Sequence, residues 1–126
     1  MKDEVLQMLE KLGKAVSDGD LKTISASYGY PALVLSDEQV LLIESAEQVE
    51  GFFGQARSWY IERGILTAKP ELLNLDRISN RVLSVDVRWP GFDKEGKENY
   101  TETSHYLIHI ESGKPLIRAA ASRTNN

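Results

Sequence analysis

Two stretches of the chain alternate polar and apolar residues with a period of two, and they hold most of the side chains able to move a proton. Across residues 82–89, Leu83, Val85, Val87 and Trp89 alternate with Ser84, Asp86 and Arg88. Across residues 98–111, Tyr100, Glu102, Ser104, Tyr106, Ile108 and Ile110 share one side, while Thr101, Thr103, His105, Leu107 and His109 share the other. A period of two marks strands with one face in a core. The turn-prone residues 93–96 join them as a hairpin, and its parity sets Asp86 and His105 on one outer face, directly opposite or diagonal. A carboxylate beside an imidazole can hold the ring as a general base. The same two residues, with Arg88 and His109, also read as plain polar cross-strand pairs on a face that meets water or a second subunit.

On the Ile-bearing side, Glu102 is the best single acid candidate, in line with Ser104 and Tyr106. A buried carboxylate without a partner is costly, so an ordinary solvated strand end is its competing assignment. Tyr28, Tyr30, Trp59, Tyr60, Trp89 and Tyr106 can supply an apolar lining with polar tips, the usual make-up of a small-molecule site, or can simply fill the core.

Other chemistry is excluded more firmly. The chain has no cysteine, which removes disulfides, thiolate nucleophiles and thiolate metal sites. His105 and His109 lie four apart in a strand, too far apart for one ion, so no metal is expected. There is no Gly-rich phosphate loop, nucleophile elbow or dinucleotide fingerprint, and no cofactor is expected. Asn99-Tyr100-Thr101 matches a glycosylation sequon, read as a chance match in a chain whose first residues do not resemble a secretory signal. The net charge of -4 is spread along the chain with no basic stripe, which argues against nucleic acid. The longest aliphatic run, residues 40–43, falls far short of the about 20 residues needed to span a bilayer as a helix. The expected location is the cytoplasm.

The elements that must position these groups are legible from spacing. Val5, Met8, Leu9, Leu12 and Val16 form an apolar helical stripe over about residues 3–17. Gly19 then reads as a helix stop and Asp20 as the cap of a short second helix carrying Leu21, Ile24 and Tyr28. Residues 31–35 and 39–44 make a first hairpin. Ser45 and Gln48 form a capping box for a third helix, whose apolar positions run from Val49 to Tyr60 and which ends at Gly64. Gly51 and Gly54 inside it imply close packing against another backbone. Strands follow over 67–78, 82–89, 98–111 and 115–122, with Pro70 marking an edge or an irregularity.

This order, together with Tyr30-Pro31 opening the first strand, the Ser45-initiated helix, residues 85–89 before the 93–96 turn, and the closing strand, resembles the nuclear transport factor 2-like superfamily. Within it the likeness is to the uncharacterised bacterial branch of SnoaL and ketosteroid isomerase-like proteins. The resemblance implies an α+β, cystatin-like cone, three helices packed on a curved antiparallel sheet, often dimerised through the sheet's outer face. The concave side would hold a pocket, with Glu102 and Ser104 toward its mouth. It implies no single activity, because the scaffold carries isomerases, dehydratases, cyclases and non-catalytic modules. An isomerase of the ketosteroid kind would need an acid near the first strand, and Tyr30-Pro31-Ala32-Leu33 has none.

The resulting expectation is one domain over residues 1–126, a homodimer that binds a small apolar or aromatic molecule through Tyr28, Tyr30, Trp59, Trp89, Glu102 and Tyr106 without turning it over. The alternatives are a proton-transfer enzyme using Glu102, or Asp86 with His105, and an interaction module with a filled cone.

Overall fold

In the computed structural model, which describes residues 1–124, helix α1 (Lys2–Asp18) buries Val5, Leu9, Leu12 and Ala15 along one stripe. It stops at Gly19, whose φ of 74° is the left-handed conformation that glycine adopts without a Cβ clash. Asp20 then caps α2 (Leu21–Ala26), its carboxylate accepting from the Thr23 N–H at 3.2 Å and the Thr23 hydroxyl at 2.6 Å. A hydroxyl or carboxylate at this position satisfies amide donors that the first helical turn cannot pair.

Strands β1 (Tyr28–Leu35) and β2 (Val40–Ile43) form the first hairpin and lead into α3 (Ala46–Glu62). Ser45 caps α3 by accepting from the Gln48 N–H at 3.4 Å, but the Gln48 amide oxygen takes the N–H of Glu44 at 2.6 Å, one residue earlier than a standard box requires. The remaining strands are β3 (Thr67–Ala68), β4 (Glu71–Arg77), β5 (Val82–Phe92), β6 (Glu98–Glu111) and β7 (Lys114–Thr124). The single strand expected over 67–78 is thus two strands divided at Pro70, which has no N–H to donate to a ladder. Both halves pair with β5, β3 at Gly91 and Phe92, and β4 at residues 83–88.

The sheet runs β2-β1-β7-β6-β5-β3, curved and mixed, with β4 also on β5. Every pairing is antiparallel except β1 with β7, which are parallel. That departure follows from the route of the chain, which leaves β1 through β2 and α3 and returns to it only after the whole meander of later strands. Irregularities in register at residues 107–108 of β6 and 72–74 of β4 bend the sheet as bulges do.

The core fills one end of this cone. Val5, Leu9, Ile24, Val49, Leu83, Ile108 and Ile117 are each at most 2% exposed. Toward the other end of β6 the packing gives way to a hollow roofed by α3. Val49 is the only fully buried residue of that helix, so α3 roofs the hollow and is not packed down on the sheet along its length. Its far end is held by Arg57, whose guanidinium donates to the carbonyls of Val16 and Ser17 at 3.1 and 3.0 Å and so closes the C-terminus of α1.

The glycines of α3 do not meet another backbone. A Cβ on Gly51 would have nothing within 4 Å, and one on Gly54 only the Leu21 Cδ1 at 3.9 Å. The close approach occurs at Gly13 of α1, where a Cβ would sit 3.0 Å from Pro70 Cδ and 3.2 Å from the Ala68 carbonyl. The apolar period over 49–60 says where α3 faces but not how far away its neighbour lies. Gly51→Ala and Gly54→Ala are accordingly expected to stabilise the fold by about 0.5–1 kcal/mol each, whereas Gly13→Ala destabilises it. Urea unfolding midpoints check both signs.

Candidate functional site

Between the concave face of the sheet and α3 lies a cavity of about 530 Å³. Exposed residues 36–39 of the β1–β2 turn rim it. Its walls are largely apolar: Leu12 and Val16 from α1, Phe52, Phe53 and Ala56 from α3, and Ile65 beyond it. Its floor is built by strand alternation, which brings Glu102, Ser104 and Tyr106 of β6 to one face beside Trp89 of β5, Ala120 of β7 and Tyr28 of β1.

The polar groups in this lining are arranged in pairs. Tyr60 of α3 donates a short hydrogen bond to Oε1 of Glu102, and Tyr100 donates to the same oxygen at 3.0 Å. Burial, reinforced by the Glu102 charge, pushes the Tyr60 hydroxyl well above its ordinary range. Trp89 Nε1 donates to the Tyr106 hydroxyl oxygen at 2.9 Å, and the Ser104 and Ser122 hydroxyls are hydrogen-bonded at 2.8 Å. Burial pushes Tyr106 up to about 12, against the hydrogen bonds from Ser104 and Trp89 that favour its ionised form. Tyr28 is raised further, again by burial first.

Four of the six aromatic and acidic residues singled out for ligand contact line this cavity together: Tyr28, Trp89, Glu102 and Tyr106. Tyr30 lies outside the lining, its hydroxyl donating to the Ser25 carbonyl at 2.7 Å and tying β1 to α2. Trp59 also lies outside. It is 40% exposed and braced edge-on against Tyr60 and Tyr100 at ring separations of 5.2 and 5.6 Å, with the Arg63 guanidinium 3.8 Å over its ring.

Asp86 and His105 face each other directly across β5 and β6 on the outer side of the sheet, away from the cavity. His105 Nδ1 is 2.6 Å from Asp86 Oδ1, and its Nε2 is 3.0 Å from the Ser84 hydroxyl. His109 pairs with Glu111, at 3.1 Å, and Glu111 also receives Arg118. Among the described residues no group of three His, Cys, Asp or Glu side chains is placed to hold a metal ion.

Sequence reasoning did not foresee the two tyrosines on Glu102. The Tyr100 contact has a readable signal, being two residues earlier on the same strand face. Tyr60 is 42 positions away, and only the fold of α3 over the sheet brings it there.

The family described as "NTF2-like protein (DUF6841)" matches residues 3–125. Among curated proteins none matches the chain. Solved structures with the same fold include an NTF-2 like protein of unknown function from Shewanella oneidensis MR-1, 18% identical, covering 96% of this chain and 97% of that one, at a TM-score of 0.75. A domain of unknown function with a cystatin-like fold from Nostoc punctiforme PCC 73102 is 11% identical and covers 99% of this chain and 77% of that one, at a TM-score of 0.80. An NTF-2 like protein of unknown function from Silicibacter pomeroyi DSS-3 is 11% identical, covering 98% and 94%, at 0.70. At these identities the likeness is one of fold.

The raised tyrosines have a measurable consequence. Tyr28, Tyr30, Tyr60 and Tyr106 all ionise later in the folded protein than the ordinary value of 10.0, with burial the largest cause in each. Their contribution to stability is therefore fully present below the unfolded value and lost as pH rises through the window from about 10 to about 12, where the unfolded chain ionises first. The expected result is a denaturation midpoint that is level from about pH 8 to 9.5 and falls steeply above about pH 10, with the tyrosinate absorbance of Tyr28, Tyr60 and Tyr106 appearing on unfolding. A midpoint that stays level to about pH 11 would contradict this assignment.

Proposed function

The chain belongs to the NTF2-like family, and on that premise we propose that it is a binding protein whose cone takes up a small, largely apolar or aromatic molecule without turning it over. The observation that carries the reading is the cavity of about 530 Å³, whose lining is mainly apolar by area. That volume lies in the range of about 300–1,000 Å³ usual for small-molecule sites. A cone acting only as an interaction module has no need of such a hollow, since empty apolar space forfeits packing energy.

The lining argues for binding over turnover. Its one deep acid, Glu102, already receives two tyrosine hydroxyls on a single oxygen. The Asp86 and His105 pair, the other candidate for proton transfer, lies across the sheet from the hollow. Proton transfer by Glu102 remains the second reading, favoured by its position within the cavity. It predicts that Glu102→Gln abolishes turnover of a bound compound, whereas the binding reading predicts no turnover in either form.

The outer sheet face supports a homodimer in the same reading. Val40 and Leu42 of β2 are 66% and 60% exposed, and Leu107 of β6 is 38% exposed on the same side of the sheet. An apolar strip of this kind on a sheet favours a self-complementary partner.

Two measurements test the reading. A neutral apolar fluorophore is expected to bind saturably at about one per chain with micromolar affinity, and to bind at least about tenfold more weakly to Ala56→Trp, which fills the hollow from α3. Absence of saturable binding, or equal binding by the variant, would sink it. In light scattering the chain is expected at the mass of two copies, and Leu42→Lys with Leu107→Lys at the mass of one; a parent protein with the mass of one copy speaks against the dimer.

A further inference from the structure

Two buried phenols in the cavity have hydrogen-bonding capacity that the protein leaves unspent. Tyr28 is 6% exposed and lines the hollow, and its hydroxyl has no hydrogen-bond partner among the described residues. No fully enclosed side-chain nitrogen or oxygen among those residues is left unpaired, so the Tyr28 oxygen opens onto the cavity space. Tyr106, also 6% exposed, accepts from Trp89 Nε1 at 2.9 Å and from the Ser104 hydroxyl, which leaves its own proton for a further acceptor. The Ser104 hydroxyl is also hydrogen-bonded to Ser122, at 2.8 Å.

The topology brings these two donors together. Tyr28 stands opposite Ile117 of β7, and Tyr106 stands opposite Ala120 of the same strand, so the rings rise from the strands on either side of β7. Ala120 between them contributes only a methyl group, which leaves the space over β7 open. Phe53 closes the Tyr28 side from above, its ring 6.2 Å away. In these surroundings a phenol keeps its proton at neutral pH, so both groups are donors.

We propose that the cavity selects a neutral apolar ligand carrying a carbonyl-type oxygen, seated on the hydroxyls of Tyr28 and Tyr106. The inference rests on the reading of the cavity as the binding site and names the chemistry it takes. A buried hydroxyl gains most from an acceptor, because the alternative in an apolar wall is no partner at all. Among the charged residues of the lining, Glu102 lies two residues from Tyr106 on the same strand face, about 7 Å along β6, whereas Arg57 is engaged by the Val16 and Ser17 carbonyls and Arg123 is exposed, so a carboxylate on these hydroxyls is disfavoured. A plain hydrocarbon fits the walls but leaves both donors unanswered.

The test uses three compounds of nearly one shape, acetylnaphthalene, ethylnaphthalene and naphthoate, measured by equilibrium dialysis against the full chain. The ketone is expected to bind about tenfold or more tightly than the hydrocarbon, and naphthoate more weakly than the ketone. Tyr28→Phe removes no hydrogen bond within the protein, so it should retain the parent's thermal midpoint and lose severalfold of the ketone preference. Tyr28→Phe with Tyr106→Phe, which also takes the acceptor from Trp89 Nε1, should erase that preference while ethylnaphthalene still binds. The infrared carbonyl stretch of bound ketone should lie below its value in hydrocarbon solvent with the parent protein, and return to that value with the double variant. Equal binding of ketone and hydrocarbon, a preference that survives the double variant, or naphthoate as the tightest of the three would overturn the carbonyl assignment while leaving the cavity a binding site. If none of the three compounds binds, the reading of the cavity itself fails, and this inference with it.

Discussion

The register between β5 and β6 is the constraint from which the rest of the molecule follows. Asp86 pairs with His105, Val85 with Tyr106 and Trp89 with Glu102, so each side chain of the long hairpin is committed to one face. A slip of one residue would turn Tyr106 and Ile108 out to water and His105 and Leu107 into the hollow, which the buried face cannot tolerate. The same pairing carries on to β7, where Ser104 meets Ser122 and Tyr106 meets Ala120. Inner and outer chemistry are thereby separated by the thickness of one sheet. Tyrosines and one acid face the cavity, while a Ser, His and Asp chain and an apolar strip face outward.

A cone of this kind has to keep its roof off its floor. The filled end achieves this with fully buried side chains from α1, α2 and the sheet, which leave α3 anchored there by Val49. At the open end the roof is held by polar contacts instead. Tyr60 reaches down to Glu102, and Arg57 reaches sideways to the last carbonyls of α1. Directional bonds fix a separation that apolar packing would tend to collapse, because the hydrophobic term rewards area removed from water and has no preferred distance of its own. Glu102 thus has a structural part in keeping the hollow open as well as facing it.

Such polar contacts are stable only because their partners are complete. Glu102 receives two hydroxyl donors, Trp89 finds Tyr106, and Ser104 finds Ser122. Against that background the Tyr28 hydroxyl stands out, since it opens onto the hollow with no hydrogen-bond partner among the described residues. On the outer face the His105 pair follows a different logic. Half-exposed and salt-screened, it contributes little stability, and it adds direction to the pairing of two strands already held by their backbone ladder.

Much of this was legible in the chain. Spacing alone determined the three helices, the long hairpin, the side of each residue on β5 and β6, the caps at Asp20 and Ser45, and an irregularity at Pro70, because these depend on periods, caps and prolines that act over a few residues. The opposition of Asp86 and His105 followed from parity, and the gathering of Trp89, Glu102 and Tyr106 from an inner face plus the resemblance to a conical fold, whereas Tyr28, expected on the second helix, instead opens β1. Tertiary structure alone decided the parallel pairing of β1 with β7, the open space beside Gly51 and Gly54, the exclusion of Tyr30 and Trp59 from the lining, and the meeting of Tyr60 with Glu102. Each of these depends on how far one element stands from another that is distant in sequence. A hydrophobic period reports the direction in which a residue faces, but the distance to what it faces is set by the balance of every contact in the fold.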